Sequence, residues 1–302
     1  MVCKNPKNIS LFCVIFLSAV FFSCQSLPKA PQAFLQESRF VPLDTGASVY
    51  IFSNVKQARQ IIELLPIEEL KDRQIRRMLD RTDFVAAAFF PPGSAKRFQL
   101  VTWGNYPSSR IRIAFRSNKN WKERTAADGY KYWHSAPDKL SIKLSSRQVF
   151  VLASLNDSPS DPVYRNPGAQ IPEGFGDFGQ AALLSCWIEN PGPAISRLMN
   201  EAGVPLRFPV QKLFINFLSA GKSTAGSENI YEAVLRFQFD NPSQARGMAA
   251  LLNLASGFVS DDQFFMLLTA NPPVQNGNNL DIKTAPLGIK ELSLLFEIIS
   301  LY

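Results

Sequence analysis

Side chains able to do chemistry are sparse in this chain of 302 residues. It has one histidine, His134, and four cysteines, at positions 3, 13, 24 and 186. A single imidazole cannot complete an HExxH motif. No His, Cys or carboxylate cluster has the spacing of a catalytic triad or a four-ligand metal site. His134 lies in "YKYWHSA", where Tyr130, Tyr132 and Trp133 mark a strand with an aromatic face. The glycines of "GFGDFG", at 174–179, follow a loop and precede a strand, the wrong order for a phosphate-binding turn. No basic and aromatic pattern matches a nucleic-acid module. The expectation is a protein that is not an enzyme, with no metal site, no cofactor and no nucleic-acid partner.

Cys24 stands where chemistry is done to it rather than by it. Residues 1–8, "MVCKNPKN", carry two lysines and no acid, and residues 9–22 form an apolar run of 14. A helix needs roughly 20 apolar residues to cross a bilayer core, so the run is short for a span. A basic start, a short apolar run and a small residue before a break is the layout of a secretory signal. The run ends Phe21-Phe22-Ser23-Cys24. A small residue before Cys resembles a bacterial lipobox, in which the Cys is acylated and becomes the first mature residue. Phe21 departs from the Leu usual three places before the Cys. Each buried methylene of an acyl chain contributes roughly 0.8 kcal/mol, so several chains hold a protein to its membrane permanently. Gln25, in place of the Asp that retains many lipoproteins at the inner membrane, leans toward the outer membrane.

Cys3 and Cys13 leave with the signal, and Cys24 is consumed by acylation. Cys186 is then a lone thiol in the apolar run "AALLSCWI", read as a small buried side chain in a strand. Hydrophobic residues make up 46% and charged residues 19%, a globular composition, and Phe is abundant at 24 residues. The formal net charge is +7, of which Lys4 and Lys7 lie in the signal. A mildly basic chain suits anionic lipid but does not by itself select it.

The segments that must position these features divide at Pro- and Gly-rich stretches. Residues 1–23 read as the signal, 24–45 as a tether, 46–155 as one α+β half, 156–180 as a linker, and 181–302 as a second α+β half. Asn54 follows one strand-like run and Asn190 another, 136 positions on; Asn105 and Asn241 repeat that offset, as do Arg110 and Arg246. Few identities accompany them, so both an internal duplication and coincidence stay open. The periodicity predicts strands at 48–53, 83–90, 97–103, 182–188, 230–239 and 279–284, and three more in "YKYWHSA", "LSIKLSS" and "QVFVLAS". It predicts helices at 55–64, 67–80, 107–116, 193–202, 209–219, 242–258 and from 288 to the end, with 263–269 ambiguous. The fold class is α+β, mostly antiparallel sheet with packed amphipathic helices.

Three stretches have the pattern of a lipid-facing helix. In "PVQKLFINFLSAG", Val210, Leu213, Phe214, Phe217 and Leu218 follow the i, i+3, i+4, i+7, i+8 spacing, with Pro209 as a helix start and Gly221 as a stop. In "LGIKELSLLFEIISLY", Ile289, Leu292, Leu295, Phe296 and Ile299 make one face of a helix apolar nearly all round. In "IEELKDRQIRRMLDR", an apolar side is backed by Lys71, Arg73, Arg76, Arg77 and Arg81. Each pattern also fits an ordinary core-facing or solvated helix.

The "FFSC" ending, the Phe-rich composition and the amphipathic helices on an α+β body resemble a spirochaetal family, the treponemal outer-membrane-associated lipoproteins. The resemblance is one of character over the mature chain and transfers no site residues. It implies a lipid-anchored protein of the outer membrane, on its periplasmic face, whose amphipathic helices meet membrane lipid. It further implies binding or transfer of a lipid-like ligand and altered membrane permeability. The alternative is a structural or adaptor lipoprotein that docks another envelope protein.

Overall fold

The computed structural model describes residues 43–63, 76–77, 79–126, 129–144, 148–154, 182–193, 195–196, 209–222, 229–255, 270–288 and 291–292. The chain divides into two compact units, Met1–Gln57 with Ile67–Ile171, and Ala58–Pro66 with Pro172–Tyr302. Both are dominated by antiparallel sheet, and few helices occur among the described residues.

Unit 1 is a seven-stranded antiparallel sheet. Its strands are β1 (Val49–Asn54), β2 (Thr82–Phe89), β3 (Lys96–Gly104), β4 (Trp121–Thr125), β5 (Lys131–Ser135), β6 (Leu140–Leu144) and β7 (Gln148–Ser154). They lie in the order β1-β2-β3-β7-β6-β5-β4. β2 and β3 join through "FPPGSA", whose Gly93 takes a φ of +90°, a backbone region that residues bearing a Cβ rarely enter. The short strand β4 follows from no sequence pattern noted above, because only Trp121 of its five residues is apolar and buried.

One side of this sheet is covered by helix α2 (Ser108–Ser117). Ile111 and Phe115, four residues apart, point inward, and the Phe115 ring lies 4.7 Å from that of Trp121 and 5.5 Å from that of Trp133. These contacts close the core over Ile142, Val149 and Val151. Burial of each large apolar side chain of this kind stabilises by about 1.5–3 kcal/mol. Tyr106, just before the helix, is buried with its hydroxyl 2.8 Å from Thr102 Oγ1 and 3.0 Å from Thr82 Oγ1.

Unit 2 contains helix α1 (Arg59–Glu63), strands β8 (Leu184–Glu189), β9 (Val210–Lys222) and β10 (Asn229–Phe239), helix α3 (Pro242–Ala255), and strands β11 (Val274–Asn276) and β12 (Asn279–Lys283). Its strand order is β11-β12-β10-β9-β8, again antiparallel throughout. α1 belongs to this unit although its sequence lies among residues read as the first half. Gln60 Oε1 on α1 accepts hydrogen bonds from Asn229 Nδ2 (2.8 Å) and the Tyr231 hydroxyl (2.7 Å) of β10. α3 covers one face, setting Ala245 and Met248 against Val210, Phe239 and Leu280. On the other face, Arg236 makes a two-pronged ion pair with Asp281 at 2.7 Å for both contacts, which raises the guanidinium pKa through the hydrogen bond. Lys212 meets Glu189 at 3.3 Å and Lys283 meets Glu232 at 2.9 Å on the same face.

The helix expected at 209–219 is strand β9. Its residues pair with β8 on one side and β10 on the other, from Leu184 opposite Phe217 to Ile188 opposite Leu213. Leu213, Phe214, Ile215, Asn216 and Phe217 are all buried, so both faces of the strand are covered. A strand buried on both faces has an almost unbroken apolar run, and such a run also satisfies helical spacing. Gly221 is no helix stop. It lies at an irregularity where β10 steps from Gly221 to Ser219, and its φ of +112° is the backbone kink that step requires.

The two units share one path. In each, a strand is followed by helical residues, then a hairpin, then a helix, and the last strand returns to pair beside the hairpin. β1-β2-β3-β7-β6 and β8-β9-β10-β12-β11 correspond in order, and α2 follows β3 as α3 follows β10. The helix expected at 67–80 lies mostly outside the described residues, of which 76–77 and 79 are helical. The linker 156–180, the ambiguous 263–269 and most of the terminal helix also lie outside them.

Burial pushes the Tyr106 phenol up from 10.0 to about 12, against the lowering effect of its two hydroxyl partners. An unfolded tyrosine gives up its proton near 10.0, so the contribution of Tyr106 to stability is full below that pH and falls as pH rises toward about 12. Denaturant melts at rising pH should show this loss, and Tyr106→Phe should flatten it. An unchanged alkaline slope in that variant would remove Tyr106 from the account.

Candidate functional site

The residues picked out by helical spacing are not brought to a surface. Val210, Leu213, Phe214 and Phe217 are buried in β9, and Leu218 is half-buried. They are also split between faces. Leu213 and Phe217 pair with Phe237 and Ala233 on the side of the sheet that holds Ile215 and Leu235. Phe214 lies opposite Arg236 on the other side and its ring lies 6.1 Å from that of Trp187. No single stripe exists for lipid to contact. Leu292 is buried too, with its backbone N–H bonded to Gly288 O at 3.1 Å. Ile289, Leu295, Phe296, Ile299 and Cys24 lie outside the described residues.

The structure instead exposes a face of α3. The side of this helix facing the sheet uses Ala245, Met248, Ala249 and Leu252. Gly247, Ala250, Leu251 and Leu254 lie on the outside, with Leu251 41% and Leu254 63% exposed. The last two are three residues apart and so adjoin along the helix. The sequence holds the signal: "GMAALLNLA" is apolar nearly all round a helix whose inner side needs only one stripe. Among the described residues no helix is long and apolar enough to cross a membrane.

The first described residues are tied down. Leu43 and Asp44, which the sequence assigns to the tether 24–45, are buried, so the fold begins at or before Leu43. The Asp44 backbone N–H donates to Gln99 Oε1 at 2.8 Å, and Gln99 Nε2 returns a bond to Asp44 Oδ2 at 2.6 Å. Lys96 Nζ pairs with the same carboxylate oxygen. The Tyr50 hydroxyl donates to Asp44 O and accepts from the Ala47 N–H, both at 3.1 Å. A carboxylate inside a fold persists only when paired and hydrogen-bonded, and this one is both.

The residues best able to do chemistry are occupied in the interior. His134 on β5 is buried, its Nδ1 3.1 Å from Ser141 Oγ on the adjacent strand. Burial pushes the Cys186 thiol from 9.0 up to about 12, so it carries almost no thiolate at neutral pH. Among the described residues no three His, Cys, Asp or Glu side chains gather as metal ligands do.

A family model described as outer membrane-associated lipoprotein TP0453 matches residues 36–260. The outer membrane protein TP0453 of Treponema pallidum (strain Nichols) is 25% identical over 179 residues, spanning 57% of this chain and 62% of that protein. The matched part is thus less than two thirds of that relative's length. Crystal form III of TP0453 superposes with a TM-score of 0.55 at 19% identity, covering 87% of this chain and 98% of that one. Crystal form IV gives 0.56 at 20%, covering 87% and 96%. At such identities the structural likeness establishes the fold.

Replacing Asp44 with Ala strands Gln99 and Lys96 and should lower stability by about 1–3 kcal/mol. Thermal unfolding followed by circular dichroism measures it; a change within error would mean the latch is slack.

Proposed function

This chain belongs to the outer membrane-associated lipoprotein TP0453 family, and from that premise we propose that it is a non-enzymatic envelope lipoprotein working at the lipid surface of the outer membrane. Acylated Cys24 holds it on the periplasmic face. The observation that carries the reading is the outward side of α3, where Leu251 and Leu254 are exposed with no charged residue between them. Fully burying an exposed leucine contributes about 1.5–3 kcal/mol; Leu251 and Leu254, 41% and 63% exposed, forgo roughly half of that each, and a bilayer interface recovers part of it. An acyl anchor already keeps the protein at that interface, so α3 needs little affinity of its own. Contact of this kind suits binding or transfer of lipid-like molecules and a change in the permeability of the bilayer.

An adaptor role by strand addition at the free edge of unit 1 is disfavoured. β4 presents Lys122, Glu123 and Arg124 there, all exposed, and charges on an edge strand discourage pairing with another chain.

Flotation on phosphatidylcholine vesicles tests the lipid reading, using the chain from residue 24 with Cys24→Ala. A fraction should float with the vesicles and release a trapped dye. Leu251→Ser with Leu254→Ser should reduce both by at least threefold without changing the melting temperature. Complete solubility of the parent protein, at neutral and mildly acidic pH alike, would sink the proposal.

The common path of the two units supports descent from a duplicated ancestor. A sequence profile built on the first half of many relatives should then detect the second half at the 136-residue offset of Asn54 and Asn190. Failure to do so would favour independent arrival at one path.

A further inference from the structure

Residues 108–125 contain six basic side chains, Arg110, Arg112, Arg116, Lys119, Lys122 and Arg124, and a single acid, Glu123. The net charge of the whole chain is +7, and two of those charges, Lys4 and Lys7, lie in the signal. The remaining excess therefore equals that of this one stretch, and the rest of the mature chain is balanced. In the structure the stretch is helix α2 and the edge strand β4, at one end of the unit 1 sheet, and all six basic residues are exposed. Lys122 and Arg124, opposite His134 and Tyr132, lie on the side of the sheet away from α2, so Arg110, Arg112, Arg116 and Lys119 supply the charge on the α2 side.

The outer side of α2 has a particular layout. Arg110, Ile113 and Arg116 are three residues apart and so fall on one face, opposite Ile111 and Phe115 in the core. Ile113 is 64% exposed. An apolar side chain thus projects outward with a guanidinium one turn to each side. The one local acid is divided: Glu123 pairs with both Arg116 (3.8 Å) and Lys131 (3.7 Å), so one carboxylate faces two cations. Arg112 reaches a backbone oxygen, Leu144 O, at 3.4 Å, which leaves its charge uncompensated.

We infer that the outer face of α2 is a docking surface for anionic phospholipid. This rests on the membrane reading above and adds headgroup selectivity to it. Arginines flanking an isoleucine can hold lipid phosphates while the isoleucine enters the acyl boundary, because long basic side chains keep their charge at the interface as their stems lie in apolar surroundings. The face lies on a helix that covers the sheet, so it suits a flat, fluid surface more than a shaped protein partner. Each Lys or Arg near an anionic leaflet strengthens binding roughly fivefold at low salt, and the gain fades as salt rises.

The test uses the chain from residue 24 with Cys24→Ala and vesicles of phosphatidylcholine, alone or mixed with phosphatidylglycerol. Binding to the mixed vesicles should be at least tenfold tighter, and added salt should erase the difference. Arg110→Gln with Arg116→Gln should lose most of it and leave binding to phosphatidylcholine unchanged. Arg110→Lys with Arg116→Lys should keep most of it, which separates charge from any effect on folding. Equal affinity for both vesicle types would overturn the inference and leave the α3 reading standing. No binding to either would overturn both. Equal loss in the Gln and Lys variants, or displacement by inorganic phosphate beyond its effect as a salt, would also overturn it, the last result marking a free phosphate site instead.

Discussion

Backbone pairing in the middle of the sheet is the constraint on which the rest depends. β9 gives one edge of its backbone to β8 and the other to β10, and side chains on both its faces are buried. A strand in that position has no solvent side, so nearly every residue must be apolar. The run Leu213 to Leu218 meets that demand, and its one polar member, Asn216, lies opposite Ser185 on β8. β2 occupies the matching place in unit 1, between β1 and β3, and there Ala86, Ala87 and Ala88 are all buried. The two central strands satisfy the same constraint with different volumes.

Several polar groups enter this interior in pairs or small networks. Asp44 is held by Lys96 and Gln99, Tyr106 by Thr82 and Thr102, and Ser135 by Asp138 at 2.5 Å. His134 belongs with them: its partner is a serine on the next strand. The one imidazole and the one thiol outside the N-terminal segment are thus consumed by structure. An unpaired group at such positions would cost more than a typical hydrogen bond contributes.

The surface divides the work differently. α2 and α3 each bury one apolar stripe against a sheet, yet their outer sides are unlike. α3 shows leucine and small residues, and α2 shows arginine around a single isoleucine. Apolar area and positive charge are the two independent terms in attraction to a membrane surface, and here they lie on different helices in different units.

Much could be read directly from the residues, because the features are local in sequence. The apolar run ending in Ser23-Cys24, with the Phe-rich composition, points to the outer membrane-associated lipoprotein family whose model matches residues 36–260. The alternation in "QVFVLAS" and "LSIKLSS" reads as strand, and the antiparallel α+β class follows from it. The repeated offset of Asn54, Asn105 and their later counterparts marks a path the two units share. The stretch 209–219 was not legible, since its spacing suits a helix and a doubly buried strand equally. Only pairing with β8 and β10, up to 33 residues away between Leu184 and Phe217, decides between them. The surface was illegible for a related reason. Whether Leu254 or Leu213 meets solvent depends on which neighbours cover it, and Ile113 stands out only once Ile111 and Phe115 are seen to point the other way. Local chemistry was set by the chain itself; burial, which turns an apolar residue into core or contact, was set by tertiary packing alone.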